Sequence, residues 1–277
     1  MEGLMGPGSM LARPPISQFN VGAVALGYSG RLYLGVNLEL PQSPLANSVH
    51  AEQFAIMHAL LRGETGLHSI AVTAAPCGHC RQFLSELACA AQVRLIFVDH
   101  DGSRSPPGGY SLDDLLPHRF GPVDLLGTDF DSGEDAEPLL MEPRDNCLQL
   151  CTSSEAELSS HDATVREAAA AALSAANQSY APYTKCPSGV AAITGDQVFS
   201  GPYVESAAFN PSLPPLQSCL VDAVSRGLAS YEEITHVVLV ETARGLVQQS
   251  PVIAAVVRAI APQAQVLVLH AEPVDSM

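Results

Sequence analysis

What this chain has least of is positive charge: 13 Lys and Arg stand against 29 Asp and Glu in 277 residues, a formal net charge of −16 at pH 7. A nucleic-acid binder needs a basic face to neutralise phosphates, so the charge argues against that class, and an anionic membrane finds nothing to attract. The acidity is read as a solubility feature. Long hydrophobic runs are also missing. No stretch approaches the ~18 apolar residues of a membrane span, and the opening residues lack the ~7–15-residue apolar core of a secretory signal. Seven cysteines, at 77, 80, 89, 147, 151, 186 and 219, cannot form an even disulfide framework. They fit a reducing compartment, and the cytosol is the expected location. A second CxxC is absent as well, which removes the closed four-thiolate kind of structural zinc site.

What is present is concentrated in two short stretches, HAEQF (His50–Phe54) and PCGHCRQF (Pro76–Phe83). They supply an imidazole, His50, and two thiols, Cys77 and Cys80, spaced i, i+3 and therefore on one face of a helix. Three such ligands hold zinc and leave the fourth position open for water, the arrangement of a catalytic site. Two thiolates and a neutral imidazole balance the charge of Zn²⁺, and one ion per chain is expected. Glu52, two residues beyond His50, is placed to face the open position without itself being a ligand. Its expected role is to carry protons. His58, eight residues from His50, is roughly 12 Å away along a helix and too far to share the ion. His68 and His79 read as packing or surface histidines. Arg81 reads equally as a surface residue or as a donor to the thiolates. The pattern H-x-E…P-C-x-x-C is the known signature of zinc deaminases.

Around these stretches the chain alternates strands and helices. Phe19–Gly27 and Arg31–Leu40 flank a turn and read as a hairpin. A helix is expected over Ala51–Gly63, a strand over His68–Ala75, a helix over Gly78–Ala90 and a strand over Val93–His100. The order ββαβαβ describes a three-layer α/β domain around a mixed sheet. From about 121 to 160 acidic residues crowd a stretch of little periodicity, expected to be a solvated linker. LLPHRFGPVDLL (Leu115–Leu126) is apolar enough to pack back. A helix over Ala163–Gln178 then opens a second unit with the same element order. Pro15–Val24 aligns with Pro182–Ala191, and Gly35–Glu39 with Gly201–Glu205, so the chain reads as a duplication. The second copy has neither HAE nor PCxxC. Expected domains are 13–120 (catalytic, zinc-binding), 121–160 (acidic linker) and 161–277 (degenerate, without metal).

FNVGAV, GVNLE, HAEQF, PCGHCRQF and LPHRFGP together resemble the two-domain, homodimeric class of cytidine deaminases, over nearly the whole chain from about Arg13. The resemblance implies two tandem three-layer α/β/α domains, each a mixed sheet with packed helices. It implies zinc-dependent hydrolytic deamination of cytidine and 2′-deoxycytidine to uridine and 2′-deoxyuridine, a reaction of pyrimidine salvage, and a homodimer acting on a small nucleoside. It also implies substrate-binding roles for Phe19 near the base, for Asn37 and Glu39 at the ribose hydroxyls, and for Ala51. One departure stands out. The second unit has a long helix before SYAPY, whereas the first has a leader broken by Gly3, Gly6, Pro7 and Gly8. Such a leader is not expected to fold alone, and a missing packing helix would expose apolar sheet surface at about 25 cal/mol per Å².

Overall fold

A computed structural model describes residues 1–97, 104–127 and 138–274. Val98, Asp99 and His100 of the expected strand, and Asp129, Asp131, Glu134, Asp135 and Glu137 of the acidic stretch, lie outside the described residues. The chain divides into two compact units: residues 1–39, 45–143 and 205–212 form one, and residues 40–44, 144–204 and 213–277 the other.

The first unit contains α1 (Glu2–Ser9), β1 (Gly22–Gly27), β2 (Leu32–Val36), α2 (Ala51–Leu61), β3 (Leu67–Val72), α3 (Gly78–Leu84), β4 (Arg94–Phe97), α4 (Leu112–Leu115) and α5 (Pro122–Leu126). Its sheet runs β2-β1-β3-β4. The first three strands pair antiparallel and β4 joins β3 in parallel. The β1–β2 turn closes at Gly30, whose φ of +82° is the left-handed region that suits glycine. Both faces of β1 are covered, so Ala23, Val24 and Ala25 are buried in succession, as a sheet between two helical layers requires.

The leader corrects the expectation drawn from its composition. Despite three glycines and Pro7, residues 2–9 form α1, and Met5 is buried against Val24 and Ala71, with Leu34 and Ile96 packed around them. The helix-breaking composition governs an isolated segment. Here the apolar sheet face supplies the packing that local propensity does not. Gly22 makes the approach possible, because a Cβ there would stand 2.6 Å from the Met5 carbonyl oxygen.

The helix expected to reach Ala90 stops at Leu84. From Ser85 to Leu87 the backbone bonds tighten to the third residue back. Leu87 then forms a bridge with Leu140, with Leu140 N–H donating to the Glu86 carbonyl and Ala88 N–H to that of Leu140, both 3.0 Å. Pairing with a residue more than fifty positions away overrides the local apolar spacing.

The second unit contains β5 (Leu148–Leu150), α6 (Thr152–Leu158), α7 (Ala163–Asn177), β6 (Ser188–Thr194), β7 (Gln197–Pro202), α8 (Pro215–Ser225), β8 (His236–Thr242), α9 (Ser250–Ile260) and β9 (Gln265–Pro273). The sheet order β5-β9-β8-β6-β7 repeats the first sheet, with β8 and β9 parallel and one antiparallel strand added at the edge. The core lies between α7 and the sheet. Val165, Ala168, Ala169, Ala172 and Ala176 pack on Ala191, Ile193, Val238, Val240 and Leu269. Within the stretch expected to be linker, α5, β5 and α6 are regular elements.

Candidate metal centre and pocket

The site is assembled at two helix starts. His50 has extended backbone (φ −81°, ψ 153°) and is the N-cap of α2, and Cys77 (φ −71°, ψ 168°) is the N-cap of α3. Extended N-cap backbone turns these side chains toward the sheet end, while Cys80 lies one turn into α3 and is buried. Gly35 lets α2 come down on β2, since a Cβ there would stand 2.2 Å from the Ala51 carbonyl oxygen. A larger residue would lift His50, Ala51 and Glu52 together.

The His50 Nδ1 atom lies 3.4 Å from Cys77 Sγ and 3.4 Å from Cys80 Sγ, and the three ligand atoms are all within 4.8 Å of one another. Tetrahedral zinc with Zn–N and Zn–S bonds of ordinary length separates such atoms by about 3.6 Å. The trio therefore fits the ion, and it is the one such group among the described residues. The protonation pattern fits as well. The Cys77 thiol is pushed down to about 3, chiefly by the hydrogen bond from the Cys80 thiol and then, against burial, by His50. Burial pushes Cys80 well up. Zinc binding needs both thiols as thiolates and so releases protons. Cys77 also draws His50 upward, burial opposing.

Glu52 lies on the first turn of α2 and is 5% exposed. Burial raises its carboxyl pKa, and it hydrogen-bonds with Cys80. A carboxylate held out of water next to a metal trio is suited to taking up and releasing protons. It lines a cavity of about 430 Å³ together with Ser17, Phe19, Asn37, Glu39, His50, Ala51 and Cys77. Of the site residues expected from the sequence, all but Cys80 line this cavity; Cys80 is buried behind it and joins the group through the metal trio. Phe19 stands at it 57% exposed, and Ala51 is fully buried in its wall.

Asn37 and Glu39 are committed to the preceding loop. Asn37 Oδ1 accepts from Val21 N–H (2.9 Å), and its Nδ2 donates to the Phe19 carbonyl (3.0 Å). Glu39 Oε2 accepts from the N–H groups of Ile16 (2.9 Å) and Ser17 (2.8 Å), and Oε1 from the Ser17 hydroxyl. Burial acts to raise the Glu39 pKa, but these hydrogen bonds outweigh it and hold the carboxyl low.

Two residues gain a role that spacing did not give them. His79 stacks on the His50 ring, centroids 4.9 Å apart and planes 19° from parallel, so it is packing on a ligand and not surface decoration. Gln53, the helix neighbour of Glu52, is buried and donates to the Pro211 carbonyl at 3.0 Å. Its place beside Glu52 was the available signal. Arg81 donates to the carbonyls of Pro76 and Leu115, both 2.8 Å, and thereby braces the turn entering Cys77. Gln82 donates to the Phe120 carbonyl, so Leu115–Leu126 does pack back on α3. His58 is structural, with Nδ1 2.9 Å from the Leu34 carbonyl oxygen.

Comparison with known proteins agrees with this geometry. Residues 9–96 and residues 112–253 each match the cytidine and deoxycytidylate deaminase zinc-binding region. The chain is 43% identical over 278 aligned positions to cytidine deaminase 1 of Arabidopsis thaliana, covering 98% of this chain and 90% of that protein. It is 43% identical to cytidine deaminase 6 of the same plant, over 97% of this chain and 94% of that one. With cytidine deaminase of Serratia proteamaculans the identity is 46% over 75% of this chain and 61% of the bacterial one. On two matched regions and on identity sustained along almost its whole length, the chain belongs to the cytidine deaminase family.

Proposed function

We propose that the protein catalyses hydrolytic deamination of cytidine and 2′-deoxycytidine to uridine and 2′-deoxyuridine, with release of ammonia, in pyrimidine salvage. The observation that carries this reading is the buried Glu52 carboxyl at a cavity lined by His50 and Cys77, which form a metal-binding trio with the buried Cys80. These three residues would hold zinc, and bound zinc supplies the acidity that lets water act as a nucleophile at neutral pH. Glu52, with its raised pKa, takes the proton from the water that adds to C4. It gives that proton to the ring nitrogen, then takes the second proton from the hydroxyl added at C4 and delivers it to the amine, as the C4–N4 bond breaks, C4=O forms and ammonia leaves. Phe19 packs near the base, Ala51 forms the wall beside it, and Asn37 with Glu39 faces the sugar. A carboxylate at Glu39 disfavours a nearby substrate phosphate, so a nucleoside is preferred over a nucleotide or polynucleotide.

The protein works as a homodimer in this reading, with the first unit catalytic and the second structural and free of metal. The exposure of Phe19, Leu45 and Phe209 on the first unit supports a covered face. Seven free cysteines support a reducing, cytosolic setting. Among the described residues no helix is long and apolar enough to cross a membrane. The deciding experiment is a spectrophotometric assay of the zinc-loaded chain on cytidine, deoxycytidine and cytidine monophosphate. Turnover of both nucleosides with little on the nucleotide is expected. No turnover of cytidine would reduce the protein to a zinc-binding one.

A further inference from the structure

We propose that Ser17 is a positioning residue that fixes the Glu39 carboxylate for recognition of the sugar. The inference rests on the reading of Glu39 as the sugar-facing group. It is carried by a closed set of hydrogen bonds. Ser17 donates twice to Glu39, from its N–H to Oε2 at 2.8 Å and from its hydroxyl to Oε1 at 2.5 Å. Ile16 N–H adds a third donor at 2.9 Å. The Ser17 hydroxyl in turn accepts from Phe19 N–H at 3.1 Å. One side chain therefore ties the carboxylate at the sugar side of the cavity to the backbone of the aromatic residue at its opening.

The geometry limits what else Glu39 does. An ionised carboxylate offers about four lone-pair directions and no donor. Three are taken by the 16–17 turn, leaving about one, which accepts from a donor such as a sugar hydroxyl. A carboxylate with both oxygens anchored has no freedom to turn away, so the ordering cost is met before the nucleoside binds. The turn itself is held in a demanding shape, because Gln18 has a φ of +56°, rare for a residue with a side chain. Ser17 and Glu39 both line the cavity, which places the anchor at the site.

The test compares Ser17→Ala, Ser17→Thr, Glu39→Gln and the Ser17→Ala/Glu39→Gln double variant of the zinc-loaded protein on cytidine and on 2′,3′-dideoxycytidine. Loss of a hydrogen bond to a charged group corresponds to about a tenfold change. Ser17→Ala should raise KM for cytidine about tenfold with kcat within about threefold, and leave the KM for the dideoxy analogue near wild type. Ser17→Thr, which keeps the hydroxyl, should restore cytidine binding. The double variant should be no worse than Glu39→Gln alone. Equal losses on both substrates, or a Ser17→Ala effect undiminished in the Glu39→Gln background, would overturn the proposal and leave Ser17 a loop-stability residue. Should Glu39→Gln itself spare cytidine, the sugar-site reading falls, whatever Ser17→Ala does. Zinc content and melting temperature, measured on each variant, separate these outcomes from misfolding.

Discussion

The two units share a backbone plan and differ at the helix starts that in the first unit carry the metal-binding trio. Gly22 and Gly189, aligned in the sequence, both sit beneath a helix at distances no Cβ tolerates. A Cβ on Gly189 would be 2.4 Å from the Ala172 carbonyl oxygen. Gly35 and Gly201 repeat this under α2 and α8. The preceding turns match too. Gln18 and Lys185 have φ of +56° and +54°, and Cys186 N–H donates to the Thr184 hydroxyl as Phe19 N–H does to that of Ser17. Yet the N-cap of α8 is Pro214 where that of α2 is His50, and Leu216 occupies the place of Glu52. At the start of α9 the buried Glu241 carboxylate accepts from the N–H groups of Gln249 (2.6 Å) and Ser250 (3.3 Å). In the first unit the start of α3 carries the Cys77 and Cys80 thiols. Both helix starts place acidic side chains near their free N–H groups, but a carboxyl hydrogen-bonded to backbone is no metal trio. Packing constraints outlast ligands because a clash is felt whether or not a reaction occurs.

The sharpest way to break this comparison is through the metal. Cys77→Ala or Cys80→Ala leaves two ligands in the first unit, and the described residues hold no second metal-binding group. Both variants should lose zinc and activity together, while the unaltered chain carries one ion, as measured by metal analysis against protein concentration. Two ions per chain, or zinc retained at full stoichiometry in either variant, would contradict the division of labour.

Next in size is Glu52→Gln. The amide keeps the shape but neither takes up nor releases a proton near neutral pH, so turnover should fall by about 10²-fold or more with zinc still bound. Near-normal turnover at full zinc loading would remove Glu52 from the proton path.

These site residues were legible because His50, Glu52, Cys77 and Cys80 announce themselves by type and short spacing. Element order was legible from the apolar runs of β1, β3, β8 and β9. The repeat showed in its glycines, whose steric reason the structure supplies. Less legible was whatever depends on contact at a distance. The end of α3 is set by Leu140, the commitment of Asn37 and Glu39 by the 16–21 loop, and the stacking of His79 by the ring it covers. The leader's helix is hidden from local reading for a related reason. Gly3, Gly6, Pro7 and Gly8 lower the propensity of an isolated helix, but Met5 packs on a sheet face that the local sequence does not describe.

That leader makes the third test. Gly22→Ala and Gly189→Ala place the same methyl against α1 and α7. The first helix has eight residues and the second fifteen, and α7 contributes Val165 and four alanines to its core. A short helix with one deeply set side chain shifts more cheaply than one interdigitated along its length. Overpacking in a tight core costs about 1–3 kcal/mol. Gly189→Ala should lie in that range and Gly22→Ala below it, read as the fall in unfolding midpoint with zinc held saturating. The reverse order would show that α1 is the more rigidly seated of the two.

The smallest expected effect distinguishes how the two covering helices begin. Asp162 caps α7, its Oδ1 accepting from Val165 N–H at 2.9 Å, whereas α1 starts at Met1 with no side-chain cap. That backbone hydrogen bond lowers the Asp162 pKa from its ordinary 3.8. A folded-state pKa below the unfolded one means that the native form resists protonation. The charged cap's contribution is therefore complete above pH 3.8 and is lost as pH falls through the lower, folded value. Asp162→Ala should then be less stable than wild type by a constant margin from neutral pH down to about 5, the gap narrowing below the ordinary carboxylate range. The measurement is the urea midpoint of both proteins across that range, with chelator in every sample so that acid loss of zinc is common to both. A margin that stays constant to the acid end would mean that the cap acts through shape alone and that its charge adds nothing to the hold of α7.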